Sequence, residues 1–245
     1  MANLITIARL ALLFFTIWLI YAGNVQVITA SIFLLLIVFV SDGLDGWVAR
    51  RRKSTSEFGA VFDIASDRIV ENALWVVFAD LDLIPIWIPL LVLTRGFLVD
   101  GLRAISYSEG KTAFGADNMM RSPLTQWLTA GRFMRALFGY AKSLAFMFLA
   151  GLEAWEHHDT TDTVLGAVYE VDLFRWTGWA LVVIAVALTV IRGLPVIFDA
   201  LAQYGPLSSD DDKQTRAALR NPMNGVQNEG IDRVAQIVER SQRGF

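Results

Sequence analysis

Six long apolar stretches alternate with short polar segments along this chain of 245 residues. The stretches cover residues 4–22, 25 to about 40, 62–79, 85 to about 102, 133–152 and 174 to about 201. A helix that crosses the hydrocarbon core of a bilayer needs roughly 20 apolar residues. The first stretch lacks a basic segment before it, so it is interpreted as a retained span and not a cleaved signal peptide. The pattern predicts an all-α integral membrane protein with six transmembrane helices.

A polar tail follows the last apolar stretch. We expect residues 1–204 to form the transmembrane domain and residues 205–245 a short cytoplasmic C-terminal tail. Four apolar residues in the tail recur at helical spacing, namely Ile231, Val234, Ile237 and Val238. They predict a surface helix, which packs on the bundle or binds the membrane or a partner.

The composition agrees with a membrane protein. Hydrophobic residues make up 55 % of the chain and charged residues only 18 %, below the roughly 25 % of soluble domains. This disfavours a soluble enzyme, a disordered protein and a nucleic-acid-binding protein. Cysteine is absent, which excludes a disulfide framework, a thiolate metal site and a cysteine nucleophile.

Basic residues occur in alternate connections between the predicted spans. The second-to-third and fourth-to-fifth connections and their flanks contain Arg50, Arg51, Arg52, Lys53, Arg103, Lys111, Arg121, Arg132 and Arg135. The other connections have acids or no charge, and the fifth-to-sixth contains His157 and His158, which we interpret as part of a solvated loop. Because cytoplasmic loops carry the excess of Lys and Arg, both termini are predicted to be cytoplasmic. We expect a bacterial inner (plasma) membrane location.

Four aspartates lie near the predicted cytoplasmic ends of the second and third spans. Asp42 and Asp45 are three residues apart, and Asp63 and Asp67 are four apart, so each pair shares a helix face. Each charge at membrane depth costs roughly 2.5–3.5 kcal/mol, and such residues usually mark a functional site. A short connection between antiparallel helices would bring the four carboxylates into one pocket.

Four like charges in one pocket need protons or cations. Two divalent ions would balance them, and hard oxygen ligands favour Mg²⁺, Mn²⁺ or Ca²⁺ over Zn²⁺. The alternative is that the aspartates cap helix ends or pair with Arg50 or Arg68. Gly43, Gly46 and Gly59 indicate either close approach of a ligand or close helix packing.

These residues match the pattern of a known family. The stretch Asp42-Gly-Leu-Asp45-Gly46-Trp-Val-Ala49-Arg50, followed by Gly59, Asp63 and Asp67 at the permitted spacings, resembles the signature of the CDP-alcohol phosphotransferases. Asn3, Thr6 and Arg9 also resemble the start of many members, although Arg9 alone could extend to the membrane interface.

The resemblance implies a reaction and a set of roles. The family moves a phosphatidyl-type group from a CDP-linked lipid such as CDP-diacylglycerol to an acceptor alcohol and releases CMP. Asp42, Asp45, Asp63 and Asp67 would hold two divalent cations, Mg²⁺ or Mn²⁺, and Asp67 would act as the general base. The positions that match the CDP-binding residues are Gly46, Ala49, Arg50, Gly59, Asn3 and Thr6. Similar members are commonly homodimers.

Basic residues near the fourth and fifth spans bear on the acceptor. Arg95 and Arg103 resemble the fourth helix of phosphatidylglycerophosphate synthases, and Arg132 and Arg135 lie at the start of the fifth span. A basic pocket favours a phosphorylated acceptor, with glycerol 3-phosphate before inositol phosphate. The alternative is that Arg95 pairs with Asp100 or a motif carboxylate and that the other cations only set the topology.

Two other classes of protein remain open. Intramembrane prenyltransferases also bind a lipid diphosphate through aspartates and Mg²⁺, but their aspartate pairs lie on well-separated helices. A cation transporter would use the acids as its ion site, although the small residues of the motif have no purpose in ion coordination alone. Release of CMP would separate the predicted function from both.

Overall fold

A computed structural model describes residues 2–52, 57–108 and 131–204. The regular secondary structure in these ranges is helical. There are seven helices in the described ranges: α1 (Ala2–Ala22), α2 (Val25–Arg52), α3 (Glu57–Asp80), α4 (Trp87–Ser108), α5 (Arg132–His157), α6 (Val164–Tyr169) and α7 (Asp172–Tyr204). The six long helices coincide with the six apolar stretches, so the helical fold class is confirmed.

Three of these helices are long and apolar enough to cross a membrane. These segments are Leu4–Ala22, Ala136–His157 and Asp172–Phe198, and a shorter apolar segment covers Val25–Ser41. Charged residues within α3 and α4, among them Arg68, Glu71 and Asp100, make these two helices less apolar. The count of six spans therefore stays a prediction.

The chain forms two compact units, Met1–Val196 and Ile197–Phe245. The predicted domain boundary at residue 204 stays a prediction. The surface helix expected near Ile231 lies outside the described residues.

Tight turns join the first four helices in pairs. Asn24 caps the start of α2, since its Oδ1 accepts a hydrogen bond of 3.2 Å from the Val27 amide. At the end of α3 the Phe78 carbonyl accepts hydrogen bonds from the amides of Leu83 and Ile84. Asp82, the residue before Leu83, has a φ of 58°. Tyr21 at the end of α1 donates to Asp80 at the end of α3 over 2.6 Å. These contacts fix the C-terminal ends of α1 and α3, which are the ends away from Asp63 and Asp67.

Aromatic side chains form the centre of the first unit. Trp75 and Phe78 of α3 and Phe146 of α5 are fully buried. The rings of Trp75 and Phe146 pack edge to face, with their centroids 4.7 Å apart. Helix α7 approaches α5 at Gly178, where an added Cβ atom would overlap the ring of Phe148. Burial of these rings stabilises the α3–α5 pairing that also positions the charged residues described below.

The connection between α5 and α7 is more ordered than a solvated loop. It contains α6, whose N-cap Thr163 accepts a hydrogen bond from the Gly166 amide. Tyr169 at its end is buried and donates to the Phe148 carbonyl over 2.7 Å. Burial raises the pKa of Tyr169. His157 and His158 remain partly exposed, with ring nitrogens 3.8 Å from Glu153 Oε1.

Candidate active site

Two aspartates of α3 face a buried arginine of α1. Helices α1 and α3 are in contact, and Arg9 is only 3 % exposed. Its Nη2 atom donates to Asp67 Oδ1 over 2.8 Å and lies 3.9 Å from Asp63 Oδ1. Arg9 therefore does not extend to the membrane interface, as one interpretation of the sequence allowed, but pairs with the predicted site.

The same two aspartates remain accessible on their other side. The side chain of Asp63 is 46 % exposed and that of Asp67 is 51 % exposed. They are one helical turn apart on one face of α3, as the spacing predicted. Gly59 lies one turn before Asp63, and Thr6, one turn before Arg9, is buried. The arrangement is a half-open acidic surface with a buried cation behind it.

The other candidate site residues lie on α2, α1, α4 and α5. Asp42, Asp45, Gly46, Ala49 and Arg50 are in the last part of α2, close to its end at Arg52. Their side chains lie outside the described part of the structure, as do those of Asn3 on α1, Arg103 on α4, and Arg132 and Arg135 on α5. The meeting of all four carboxylates therefore stays a prediction.

A second charged cluster lies one turn further along α3. Arg68 donates to both oxygens of Asp100 on α4, over 2.9 Å each. Glu71 is 3 % exposed, and its Oε2 atom lies 3.5 Å from Arg68 Nη1 and 3.3 Å from Lys142 Nζ. We call Arg68, Glu71, Asp100 and Lys142 the buried ion network. It ties α3 to α4 and α5.

Two further cations, Arg192 and Arg95, lie on α7 and α4. Lys142 Nζ lies 5.0 Å from the centre of the Phe138 ring, and the Arg192 guanidinium lies 4.9 Å from the same centre. Arg95 packs against α7, because a Cβ atom at Gly193 would lie 2.7 Å from the Arg95 Cγ and Nε atoms. Among the described side chains, cations from α4, α5 and α7 therefore lie near the buried ion network.

Two alternatives from the sequence concern the partners of arginines. Asp100 accepts hydrogen bonds from Arg68 at both of its oxygens, and the pairing of Arg95 with Asp100 or a motif carboxylate stays an alternative. Arg68 binds Asp100 and Glu71, while the hydrogen bond to Asp67 comes from Arg9.

Glu71 and Arg192 are candidate site residues that were not predicted from the sequence. Glu71 follows Asp67 by four residues, and this spacing was the available signal that it lies on the same helix face. Arg192 lies in the sixth apolar stretch, where an isolated cation indicates a functional or paired residue.

The described donors fit a hard divalent cation. Asp63 and Asp67 offer carboxylate oxygens from one accessible face, which is the chemistry that Mg²⁺ and Mn²⁺ prefer. Within the described side chains, no group of three or more acids and histidines is arranged to hold a metal ion. Completion of the site would therefore depend on Asp42 and Asp45 of α2.

Comparisons with known proteins agree with the motif. The family model described as CDP-alcohol phosphatidyltransferase matches residues 1–191. The chain is 29 % identical over 130 residues to the CDP-diacylglycerol–glycerol-3-phosphate 3-phosphatidyltransferase of Bacillus subtilis, covering 48 % of this chain and 66 % of that protein. The protein of the same name from Treponema pallidum is 31 % identical over 127 residues, covering 52 % and 56 %.

A relative with a different name is about as similar. A putative cardiolipin synthase of Mycobacterium tuberculosis is 30 % identical over 111 residues, covering 45 % of this chain and 52 % of that protein. The chain thus spans between about half and two thirds of the length of these curated relatives. Since the family model covers most of the chain and includes the aspartate motif, the chain belongs to the CDP-alcohol phosphatidyltransferase family.

Proposed function

We propose that this protein transfers a phosphatidyl group from CDP-diacylglycerol to the hydroxyl group of a polar acceptor and releases CMP. The observation that carries the proposal is the pair Asp63 and Asp67, half exposed on one face of α3 and held from behind by Arg9. The family membership and the glycerol-3-phosphate transferases among the relatives support the same chemistry.

The proposed site combines acids from two helices. Asp63 and Asp67, with Asp42 and Asp45, would hold two divalent cations, Mg²⁺ or Mn²⁺. When bound, such ions neutralise a diphosphate and stabilise the departing phosphate. Gly46, Ala49, Arg50 and Gly59, with Asn3 and Thr6, would bind the cytidine diphosphate.

Asp67 would serve as the general base. It accepts the proton of the acceptor hydroxyl while that oxygen bonds to the phosphatidyl phosphorus and the bond from this phosphorus to CMP breaks. Arg9 donates a hydrogen bond to Oδ1 of Asp67 and would restrain the orientation of this carboxylate.

We favour glycerol 3-phosphate as the acceptor. Arg95, Lys142 and Arg192 bring three cations from α4, α5 and α7 to the part of the bundle next to α3. Guanidinium and ammonium groups form charge-assisted hydrogen bonds to a phosphate, so a group of such side chains favours a phosphorylated acceptor over serine or choline. Arg103, Arg132 and Arg135 would extend this surface. Inositol phosphate is the second choice.

The membrane arrangement is part of the proposal. Six spans with both termini on the cytoplasmic side would place the aspartates at the cytoplasmic face of a bacterial inner membrane. There a lipid donor and a water-soluble acceptor can both reach them. We also infer a homodimer, by analogy with similar family members.

The test is an acceptor screen. Purified protein in lipid nanodiscs receives CDP-diacylglycerol, Mg²⁺ and one acceptor at a time, and CMP release is measured with and without EDTA. The acceptors are glycerol 3-phosphate, inositol phosphate, serine and phosphatidylglycerol. We expect release with glycerol 3-phosphate and loss of release in EDTA. Release with serine alone would contradict the assigned acceptor, and no release with any acceptor would contradict the function.

A matched pair of variants separates the site from the fold. Asp67→Asn should abolish CMP release because an amide cannot accept the proton, while the protein stays folded. Asp82→Asn is the control, since Asp82 is an exposed acid at the turn after α3 whose φ of 58° suits asparagine. Near-normal turnover in Asp67→Asn would remove Asp67 from its proposed role.

A further inference from the structure

Arg9 contacts the two carboxylates that we assign to the metal site, and the contact comes from the buried side. We propose that Arg9 is a resident counter-ion, which holds Asp63 and Asp67 together while no metal is bound. This inference rests on the proposed metal-dependent function, and it assigns a positioning role to a residue of α1.

The geometry makes the guanidinium a shared partner of both acids. One nitrogen, Nη2, lies 2.8 Å from Asp67 Oδ1 and 3.9 Å from Asp63 Oδ1. Two carboxylates at positions i and i+4 of a helix repel each other. A cation within 4 Å of both offsets this repulsion, and it also joins α1 to α3.

Burial shows that the arrangement has two different sides. Arg9 is almost fully enclosed, with 2 % of its side chain exposed, whereas about half of each aspartate side chain remains accessible. A buried guanidinium without an anion is strongly destabilising, so Arg9 depends on the two acids. A cation from solution can approach the same acids only from their accessible side.

The two sources of positive charge therefore act on one pair of acids from opposite directions. In the metal-free protein Arg9 supplies the compensating charge, and in the loaded protein divalent ions supply most of it. The loss of Arg9 should harm the metal-free form more than the loaded form. A purely structural ion pair would be equally important in both forms.

The experiment compares apparent unfolding temperatures in nanodiscs, in EDTA and in saturating Mn²⁺. The proteins are the wild type, Arg9→Gln, Arg9→Lys and the control Asp100→Asn. The control breaks a different arginine pair on α3, the two hydrogen bonds between Arg68 and Asp100, which do not involve the acids of the proposed metal site.

We expect Arg9→Gln to unfold at a lower temperature than the wild type in EDTA, and Mn²⁺ to reduce that gap to less than about half. Arg9→Lys, which keeps the charge, should show a smaller gap in EDTA. The gap of Asp100→Asn should stay the same under both conditions. If Arg9→Gln unfolds during purification without metal, it is purified in Mn²⁺, and its loss on addition of EDTA is the supporting result.

Two negative outcomes are distinguishable. An equal gap for Arg9→Gln in EDTA and in Mn²⁺, with a normal response of the wild type to Mn²⁺, would overturn the role of Arg9 alone. A wild type whose unfolding temperature does not respond to Mn²⁺ would overturn the proposed metal site and this inference with it.

Discussion

The ion pair between Glu71 and Lys142 should contribute measurably to stability, because both side chains are largely withdrawn from solvent. The exposed fractions are 4 % for Glu71 and 18 % for Lys142, and the charged atoms are 3.3 Å apart. At an effective dielectric constant near 20, this distance gives a gross attraction of about 5 kcal/mol. The desolvation of both ions and the ordering of the lysine side chain offset most of this attraction.

We therefore expect a net coupling free energy of about 1–3 kcal/mol in a double-mutant cycle. Glu71→Gln and Lys142→Met should each destabilise the protein by about 2–3 kcal/mol. Arg68 stays 3.5 Å from Glu71 and limits the damage in Lys142→Met. The double variant should lose less than the two single variants combined, since neither charge is then left without its partner.

The measurement is the free energy of unfolding in mixed micelles, followed by far-ultraviolet circular dichroism. The control cycle uses Asp172→Asn and Arg175→Gln, an i,i+3 pair whose aspartate is 79 % exposed. This pair should show a coupling of about 0–0.5 kcal/mol. A Glu71–Lys142 coupling no larger than that of the control would refute the reasoning that burial makes this pair strong.

Three further predictions concern other parts of the molecule. Tyr169→Phe removes the hydrogen bond to the Phe148 carbonyl and should destabilise by about 1–2 kcal/mol, measured as above; a change below the error of the measurement would contradict it. Because burial raises the pKa of Tyr169, its contribution is complete below the unfolded-state pKa near 10 and falls as pH rises above that value. In strongly alkaline buffer the unfolding temperature of the wild type should therefore fall, and that of Tyr169→Phe should fall less. Gly193→Ala should displace Arg95, whose Cγ and Nε atoms would lie 2.7 Å from the new Cβ. It should therefore raise the KM for glycerol 3-phosphate but not the KM for CDP-diacylglycerol. The control is Gly139→Ala, which has nothing within 4 Å of its Cβ, and equal effects of the two variants would refute the role of Arg95.

The positions of the long helices could be predicted from the sequence because their apolar stretches are nearly continuous. The shared face of Asp63 and Asp67 could also be predicted, since it depends only on the helical repeat. The membrane crossing of α3 and α4 was harder to judge. Their charges lower the hydropathy of each helix, and hydropathy alone does not distinguish a paired charge from an unpaired one.

The partners of the charges could not be predicted, because they depend on which helices touch. Arg9 and Asp67 are separated by 58 residues and meet only because α1 packs on α3. Glu71 was overlooked, since its burial between Arg68 and Lys142 requires α5 to lie beside α3. Helix α6 was missed because it is only six residues long, and its apolar side chains are too few to show a period.

The central claim is that Asp63 and Asp67, with the two aspartates of α2, bind a pair of divalent cations. An anomalous difference map of crystals grown with Mn²⁺ and a cytidine nucleotide tests it most directly. The account predicts two manganese peaks within coordination distance of the Asp63 and Asp67 carboxylates, with the diphosphate beside them. A map with the nucleotide bound but no manganese peak at these side chains would contradict it.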